Sequence, residues 1–464
     1  MTSEPTWNDS NYSQQFPKKI TGQHLVAYFG ITELLQNTID GPTLDADDGF
    51  GRTPLSYAAV KNGHESVVKL LLTMSSVDIN AGDDHNQTPL WCHDQTPIWW
   101  AARNGDVEAV KLLLEKGKIN VNLKDKYNHS PLGRAAQRGH DTVVQLLLTK
   151  ENVDINSTDH YGHTPLLLAA RYGHASVVKL LLDFSNVDIN VMDESGKNAL
   201  LWAVKNGHED VVALLLSDAN VNVNVKDLND QSPLLYATIY GYEAIVQKLL
   251  ATEKIDANAK DSYHQTALLF ASERGHSQIV RMLLDHKDID VHATDRINQT
   301  PLWWAAASGN EAVIKYLLDK EGADINAKNA FQQTALLWAA RYGNENTVEL
   351  LLTVPGIDVN TKDRDGLTPL WWATKKVYKA VVQLLLCNEN VDVNIKNGSG
   401  QSPLLFATQE GYTAIMELLL TKGGIDVNVT DKNGHTPLTV AMRYSTGNRF
   451  SIAEEEEDNR KRGD

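Results

Sequence analysis

Thr-Pro-Leu, or a close variant, starts at Thr53, Thr96, Ser130, Thr164, Asn198, Ser232, Thr266, Thr300, Thr334, Thr368, Ser402 and Thr436. From Thr96 onward each copy follows the last by 34 residues. A worn copy, Thr21-Gly22-Gln23-His24-Leu25-Val26-Ala27, brings the number of repeats to 13. No other feature constrains the fold so strongly. A fixed period of this length means one small supersecondary motif, unable to bury its apolar side alone, stacked on copies of itself. It overrides the prior that 464 residues would make about three separate domains.

The repeat that begins at His163 shows the local logic. Thr164 is placed to cap a helix, and Pro165 suits its first turn, where the missing N–H costs nothing. Leu166, Ala169 and Ala170 fall on one apolar face, kept thin by the alanines. Gly173 ends this helix with a left-handed residue. A second helix follows, with Val177, Val178, Leu180, Leu181 and Leu182 expected to be buried. A turn led by Val187-Asp188-Ile189-Asn190 closes the repeat. Two residues before the capping residue stands Gly162, Gly196, Gly366, Gly400 or Gly434 in five repeats, and Asn128, Asp230 or Asn298 in three others. These types tolerate the left-handed backbone of a tight finger.

With twelve registered copies, the chain resembles the ankyrin repeat over about residues 20 to 450. The resemblance implies an all-α repeat solenoid of helix-turn-helix motifs joined by β-turn fingers. Two departures are plain: the period is 34 where the family's is 33, and the family's His after Thr-Pro-Leu survives only as His24. The phrases AARYGHASVVKLLL and NVDIN are similar to the ankyrin arrays of filamentous fungi, which often follow a NACHT module. No G-x-x-x-x-G-K-[ST] phosphate loop occurs in this chain. The organisation expected is a disordered tail over 1–20, an array of about 13 repeats over 21–452, and a disordered charged tail over 453–464.

Near the front the phrase is written twice, as Gln87-Thr88-Pro89-Leu90-Trp91 and Gln95-Thr96-Pro97-Ile98-Trp99. Only Thr96 is followed at the right spacing by Ala101, Ala102 and Gly105, so residues 88–95 read as an insertion. A surface loop absorbs such an insertion at low entropic cost. A neutral tandem duplication is the favoured reading, and a partner-specific lip carrying Trp91 is the alternative.

The chemistry-bearing residues point away from catalysis. His64, His140, His174, His208 and His276 belong to different layers, about 8–10 Å apart, too far to share a metal at about 2 Å. Val68 and Val212 stand where an H-E-x-x-H zinc helix needs its second His. Asp78, Asp154, Asp188, Asp256, Asp290, Asp324, Asp358, Asp392 and Asp426 recur once per layer and read as turn acids, since calcium needs six to eight oxygens together. Cys92-His93-Asp94 holds the residue types of a nucleophilic triad, but consecutive residues do not place them in line. Cys92 and Cys387 form no disulfide framework. No cofactor is expected. A net charge of −16 disfavours nucleic acid, and no apolar run reaches the roughly 20 residues that span a bilayer. No secretory signal is read at the N-terminus, and a cytoplasmic monomer is expected, with a nuclear location left open. Trp100, Trp202, Trp304, Trp338 and Trp372 read as a core stripe; Trp99, Trp303 and Trp371 read as partly exposed at the finger bases.

What the resemblance implies about function is a non-catalytic scaffold for a protein or peptide, gripped on the concave face of fingers and first helices. By position that face carries Tyr127, Tyr161, Tyr263, Ile297 and Phe331 on fingers. On first helices it carries Arg103, Arg138, Arg171, Tyr172, Ile239, Tyr240, Arg341 and Tyr342. Tyr and Arg are enriched in binding hot spots. The alternatives are an accessory or regulatory protein for an enzyme or biosynthetic pathway, or an enzyme with a site near the insertion.

Overall fold

In the computed structural model, residues 19–37, 46–48, 51–60, 64–74, 77–81, 95–117, 119–320 and 322–445 are described. The expected insertion as far as Asp94, with Trp91 and Cys92-His93-Asp94, lies outside them, as do residues 1–18 of the expected N-terminal tail and the whole expected C-terminal tail. The chain divides into two compact units, Met1–Leu228 and Asn229–Asp464. Within each unit the described residues form paired helices and turns, without strands. First helices pack on the first helices of neighbouring repeats, and second helices on second helices.

The capping chemistry is repeated almost without change. The Thr164 hydroxyl accepts the Leu167 N–H at 3.2 Å, and Ser130, Asn198, Ser232 and Thr368 act in the same way. Each such cap contributes about 1 kcal/mol to a helix of only two turns. The paired alanines, including Ala135, Ala136, Ala169 and Ala170, are wholly buried. Val177, Val178 and Leu181 are buried under the second helix, whereas Leu180 and Leu182 are only half-buried. A helix of eight residues (Ala175–Leu182) has one inner face, and those two leucines flank it.

Histidine ties one layer to the next. The His174 ring lies against Gly139 of the preceding repeat and its Nε2 meets the Gln137 carbonyl at 2.9 Å. His64, His140 and His208 contact Tyr28, Arg103 and Arg171 carbonyls in the same way. Asn310 and Asn344 replace the ring with a side-chain amide that donates to the Ser272 and Ala306 carbonyls. The histidine series is structural. In the worn first repeat, buried His24 serves instead as the partner of its cap, with Nδ1 at 2.7 Å from the Thr21 hydroxyl.

The turn after each second helix carries a second tie. The Asn156 side chain donates to the Asn186 carbonyl at 2.8 Å and accepts the Asp188 N–H at 2.9 Å. Asn122, Asn190, Asn258, Asn326, Asn360 and Asn394 donate likewise to the next repeat. The recurring aspartates accept backbone N–H groups two residues on, as in Asp188 to Asn190 at 3.0 Å. They are turn acids, as their spacing suggests.

Candidate partner-binding surface

Each finger is organised by one acid or amide. Asp159 Oδ1 accepts the N–H groups of Tyr161 and His163, both at 2.9 Å. The following residue takes positive φ at Gly162 and Gly196, and also at Asn128, Asp230, Asn298, His264 and Gln332. Adjacent fingers are joined by single backbone bonds: His160 N–H to the Tyr127 carbonyl, Glu194 N–H to Tyr161, Arg364 N–H to Phe331. The tips are therefore held in register while their side chains stay outside.

Tyr127, Tyr161, Tyr263, Ile297 and Phe331 are exposed, Tyr263 to 64%. Of the helix-end residues, Tyr240 and Tyr342 are exposed, and Arg171, Tyr172, Ile239 and Arg341 are half-buried. Several sit against a cation or a ring. The Arg296 guanidinium lies over Tyr263 at 5.4 Å and Arg364 over Phe331 at 5.4 Å. Tyr240 stacks between Tyr236 and Tyr242 at 6.2 and 5.7 Å. Ile239 makes no comparable contact among those described.

The tryptophans correct the sequence reading. Trp99, Trp303 and Trp371 are 1%, 3% and 2% exposed, so they are core residues. Each ring reaches toward the next repeat: the Trp99 indole N–H donates to the His129 carbonyl and that of Trp371 to Gln401. Trp100 and Trp372 are buried as expected, but Trp202, Trp304 and Trp338 are only half-buried. Two of the following-position tryptophans bind the finger acid, Trp202 to Asp193 and Trp372 to Asp363, each at 2.7 Å.

In the N-terminal unit the finger bases form a line in which basic side chains alternate with carboxylates. His129 Nδ1 lies 3.0 Å from Asp125 Oδ2 and its Nε2 3.7 Å from Asp159. His163 lies 2.9 Å from Asp159 and 3.5 Å from Asp193, and Lys197 3.1 Å from Asp227. Burial opposes the His163 imidazolium, but the two carboxylates outweigh it and push its pKa up to about 9. Burial likewise opposes the Asp159 and Asp193 carboxylates. Bonds from His163 and from backbone N–H groups hold both below their ordinary range.

No group of His, Cys, Asp and Glu among the described residues could hold a metal ion. A hollow of about 190 Å³, lined by Val291, His292, Thr300 and Asp324, is smaller than the roughly 300–1,000 Å³ of small-molecule sites. Among the described residues no helix is long and apolar enough to cross a membrane. Cys387 is a free, exposed thiol.

Comparison with known proteins identifies the repeat family. The model described as ankyrin repeats (3 copies) matches residues 23–93, 92–159, 135–227, 234–329, 302–397 and 370–454. Among solved structures, the crystal structure of the ankyrin repeat domain of Bcl-3, a unique member of the IkappaB protein family, is similar at 29% identity. The match covers 46% of this chain and 95% of that one, with a TM-score of 0.43. No curated protein matches the chain.

Proposed function

The chain belongs to the ankyrin-repeat family, and on that premise we propose that it is a non-catalytic scaffold whose finger tips and first-helix ends bind a protein or peptide. Ankyrin repeats are in general protein–protein interaction modules. The observation that carries the reading here is the exposure of large aromatic side chains outside the core: Tyr127 and Tyr161 in one unit, Tyr263, Phe331 and Tyr342 in the other. Core positions repeat from layer to layer while these vary, as a specific surface requires. A preorganised backbone lowers the ordering cost of binding, and Tyr adds contact area at low rotamer cost. We take the protein to act as a monomer in the cytoplasm, with no nucleic-acid ligand, since the chain carries a charge of −16.

The test is affinity capture with the full chain, followed by Tyr172→Ala and Tyr342→Ala. Each should weaken the captured partner by about 1–2 kcal/mol if these are hot spots, with helical content unchanged. Normal binding by both variants, with loss on charge reversal at Lys179 or Glu349 of the second helices, would place the partner on the other side.

A further inference from the structure

The same side-chain cluster occurs once in each compact unit, 170 residues apart, which is five periods of 34. In the N-terminal unit the Arg171 guanidinium lies over the Trp202 ring at 4.3 Å and over Tyr172 at 5.6 Å. Lys205 lies over the same indole at 5.1 Å. In the C-terminal unit Arg341 lies over Trp372 at 4.2 Å and over Tyr342 at 5.8 Å, and Lys375 over that indole at 5.2 Å. Both indoles are held from behind by the finger acids Asp193 and Asp363, each at 2.7 Å. An exposed finger aromatic, Tyr161 or Phe331, stands at the same register in each.

The neighbouring repeats do not carry this set. The residues matching Arg171-Tyr172 are Gln137-Arg138 one repeat earlier, and those matching Arg341-Tyr342 are Ala307-Ser308. A cation in the last turn of a helix interacts favourably with its dipole. That accounts for one charge on each helix, but not for helix-end cations from two successive repeats gathered on one indole, which at Trp202 are joined at 5.8 Å by Lys197, itself paired with Asp227. Held there, they repel each other. The amine of Lys205 is pushed down first by burial, then by Lys197 and by Arg171, and the carboxylates of Asp227 and Asp193 only partly offset this. An anion placed between the guanidinium and the ammonium relieves the repulsion and takes hydrogen bonds from both. Neither Arg171 nor Arg341 has an ion-pair partner among the described residues.

We propose that each unit carries one recognition cluster, Arg171/Trp202/Lys205 and Arg341/Trp372/Lys375, that takes an Asp or Glu side chain of an acidic partner segment. The carboxylate sits between the two cations, and apolar residues flanking it lie on Tyr172 and Tyr161, or on Tyr342 and Phe331. The overall acidity of the chain makes such a partner unexpected from composition; the finger acids Asp193 and Asp363 are turned to the indole N–H groups, and the charges borne by the helix-end positions themselves are positive. At the two helix-end offsets from Arg103 to Lys205, the N-terminal unit carries Arg103, Arg138, Arg171 and Lys205 and no acid. The inference rests on the scaffold reading above.

The experiment titrates the full chain, at low ionic strength, with a synthetic peptide of alternating Glu and Leu and with its Gln-for-Glu counterpart. Tryptophan fluorescence and calorimetry are the readouts. Two acidic peptides per chain are expected, weakening at least tenfold between 50 and 500 mM salt, over which the Debye length shortens about threefold, with the Gln peptide bound at least tenfold less tightly. Arg171→Gln should leave one site, Arg341→Gln the other, and the double variant neither. Lys205→Gln and Lys375→Gln provide a second pair should an arginine variant lose helical content. Equal binding of the two peptides, or two sites surviving in the double variant, overturns the proposal. If a captured partner depends on Tyr172 and Tyr342 while the acidic peptide binds nowhere, the scaffold reading stands and the acidic class falls. If the peptide binds at both clusters while the captured partner ignores them, the clusters stand and the scaffold surface must be redrawn.

Discussion

The tie between layers can be measured at Gly139. Its φ is +75°, and a Cβ built there would lie 2.5 Å from His174 Nδ1, an atom of a ring held by its bond to the Gln137 carbonyl at 2.9 Å. Gly139→Ala therefore meets two costs. Left-handed backbone costs an L residue about 1–2 kcal/mol. Moving the ring gives up a hydrogen bond of about 0.5–1.5 kcal/mol. The more restricted unfolded chain returns about 0.4–1 kcal/mol. The net loss should be about 0.5–3 kcal/mol. Gly411 is the control: its φ is +73°, and nothing lies within 4 Å of a Cβ there. Gly411→Ala should cost about 1 kcal/mol less than Gly139→Ala. Hydrogen exchange resolved along the chain is the right assay, because stability in a repeat array is local. Gly139→Ala should speed exchange in the helices Pro131–Arg138 and Asp141–Leu148. In the double variant with His174→Ala, the added cost over His174→Ala alone should shrink to that of Gly411→Ala. Equal costs for the two single glycine variants would refute the argument that the ring, and not the backbone alone, demands glycine.

Val377 stands where the other repeats from Thr96 to Ser402 have glycine, and it keeps φ at +60° with its side chain 45% exposed. Val377→Gly relieves about 1–2 kcal/mol of strain against a smaller loss of entropy and contact. A gain of about 0.5–1 kcal/mol is expected in chemical denaturation, and a clear loss would show that the valine packs usefully. His163 supplies a pH dependence. Its folded pKa of about 9 stands above the unfolded 6.5, so its contribution is whole below pH 6.5 and is lost as pH rises through 9. The change is about 3 kcal/mol. Asp159 and Asp193, held low, act in the opposite sense, and their share is lost as pH falls below 3.8. His163→Gln, which copies Gln333 of the other unit, should flatten the alkaline limb of exchange-derived stability. Asn156→Ala removes two bonds to the next repeat and should cost about 1–2 kcal/mol. His292→Ala, at the one ladder position without asparagine between Asn258 and Asn326, should cost less than half of that.

Much of this fold could be read from the period alone. The Thr and Ser caps, the left-handed Gly173 and the turn role of Asp188 follow from local chemistry, which a sequence states directly. The tryptophans do not. Whether the third or fourth residue of a two-turn helix faces inward depends on where the next repeat sets its finger, and at Trp99 and Trp371 that finger offers a carbonyl to the indole. The same holds for His174 and Asn156. Their partners lie 37 residues back and 30 residues on, near the period but across a layer whose rotation the period does not specify. The exposed tyrosines were readable, because an aromatic that varies between otherwise repeating motifs has no core to fill. The paired Arg-Trp-Lys clusters left a signal that a 34-residue comparison misses, since they repeat only at 170.

The scaffold surface itself is tested most directly by hydrogen exchange on the full chain with and without its captured partner. Binding should slow exchange at the fingers around Tyr161 and Phe331 and at the helix ends Arg171–Tyr172 and Arg341–Tyr342. The second helices Ala175–Leu182 and Glu345–Leu352 should be unchanged. Protection confined to those second helices, with the fingers unaffected, would contradict the account.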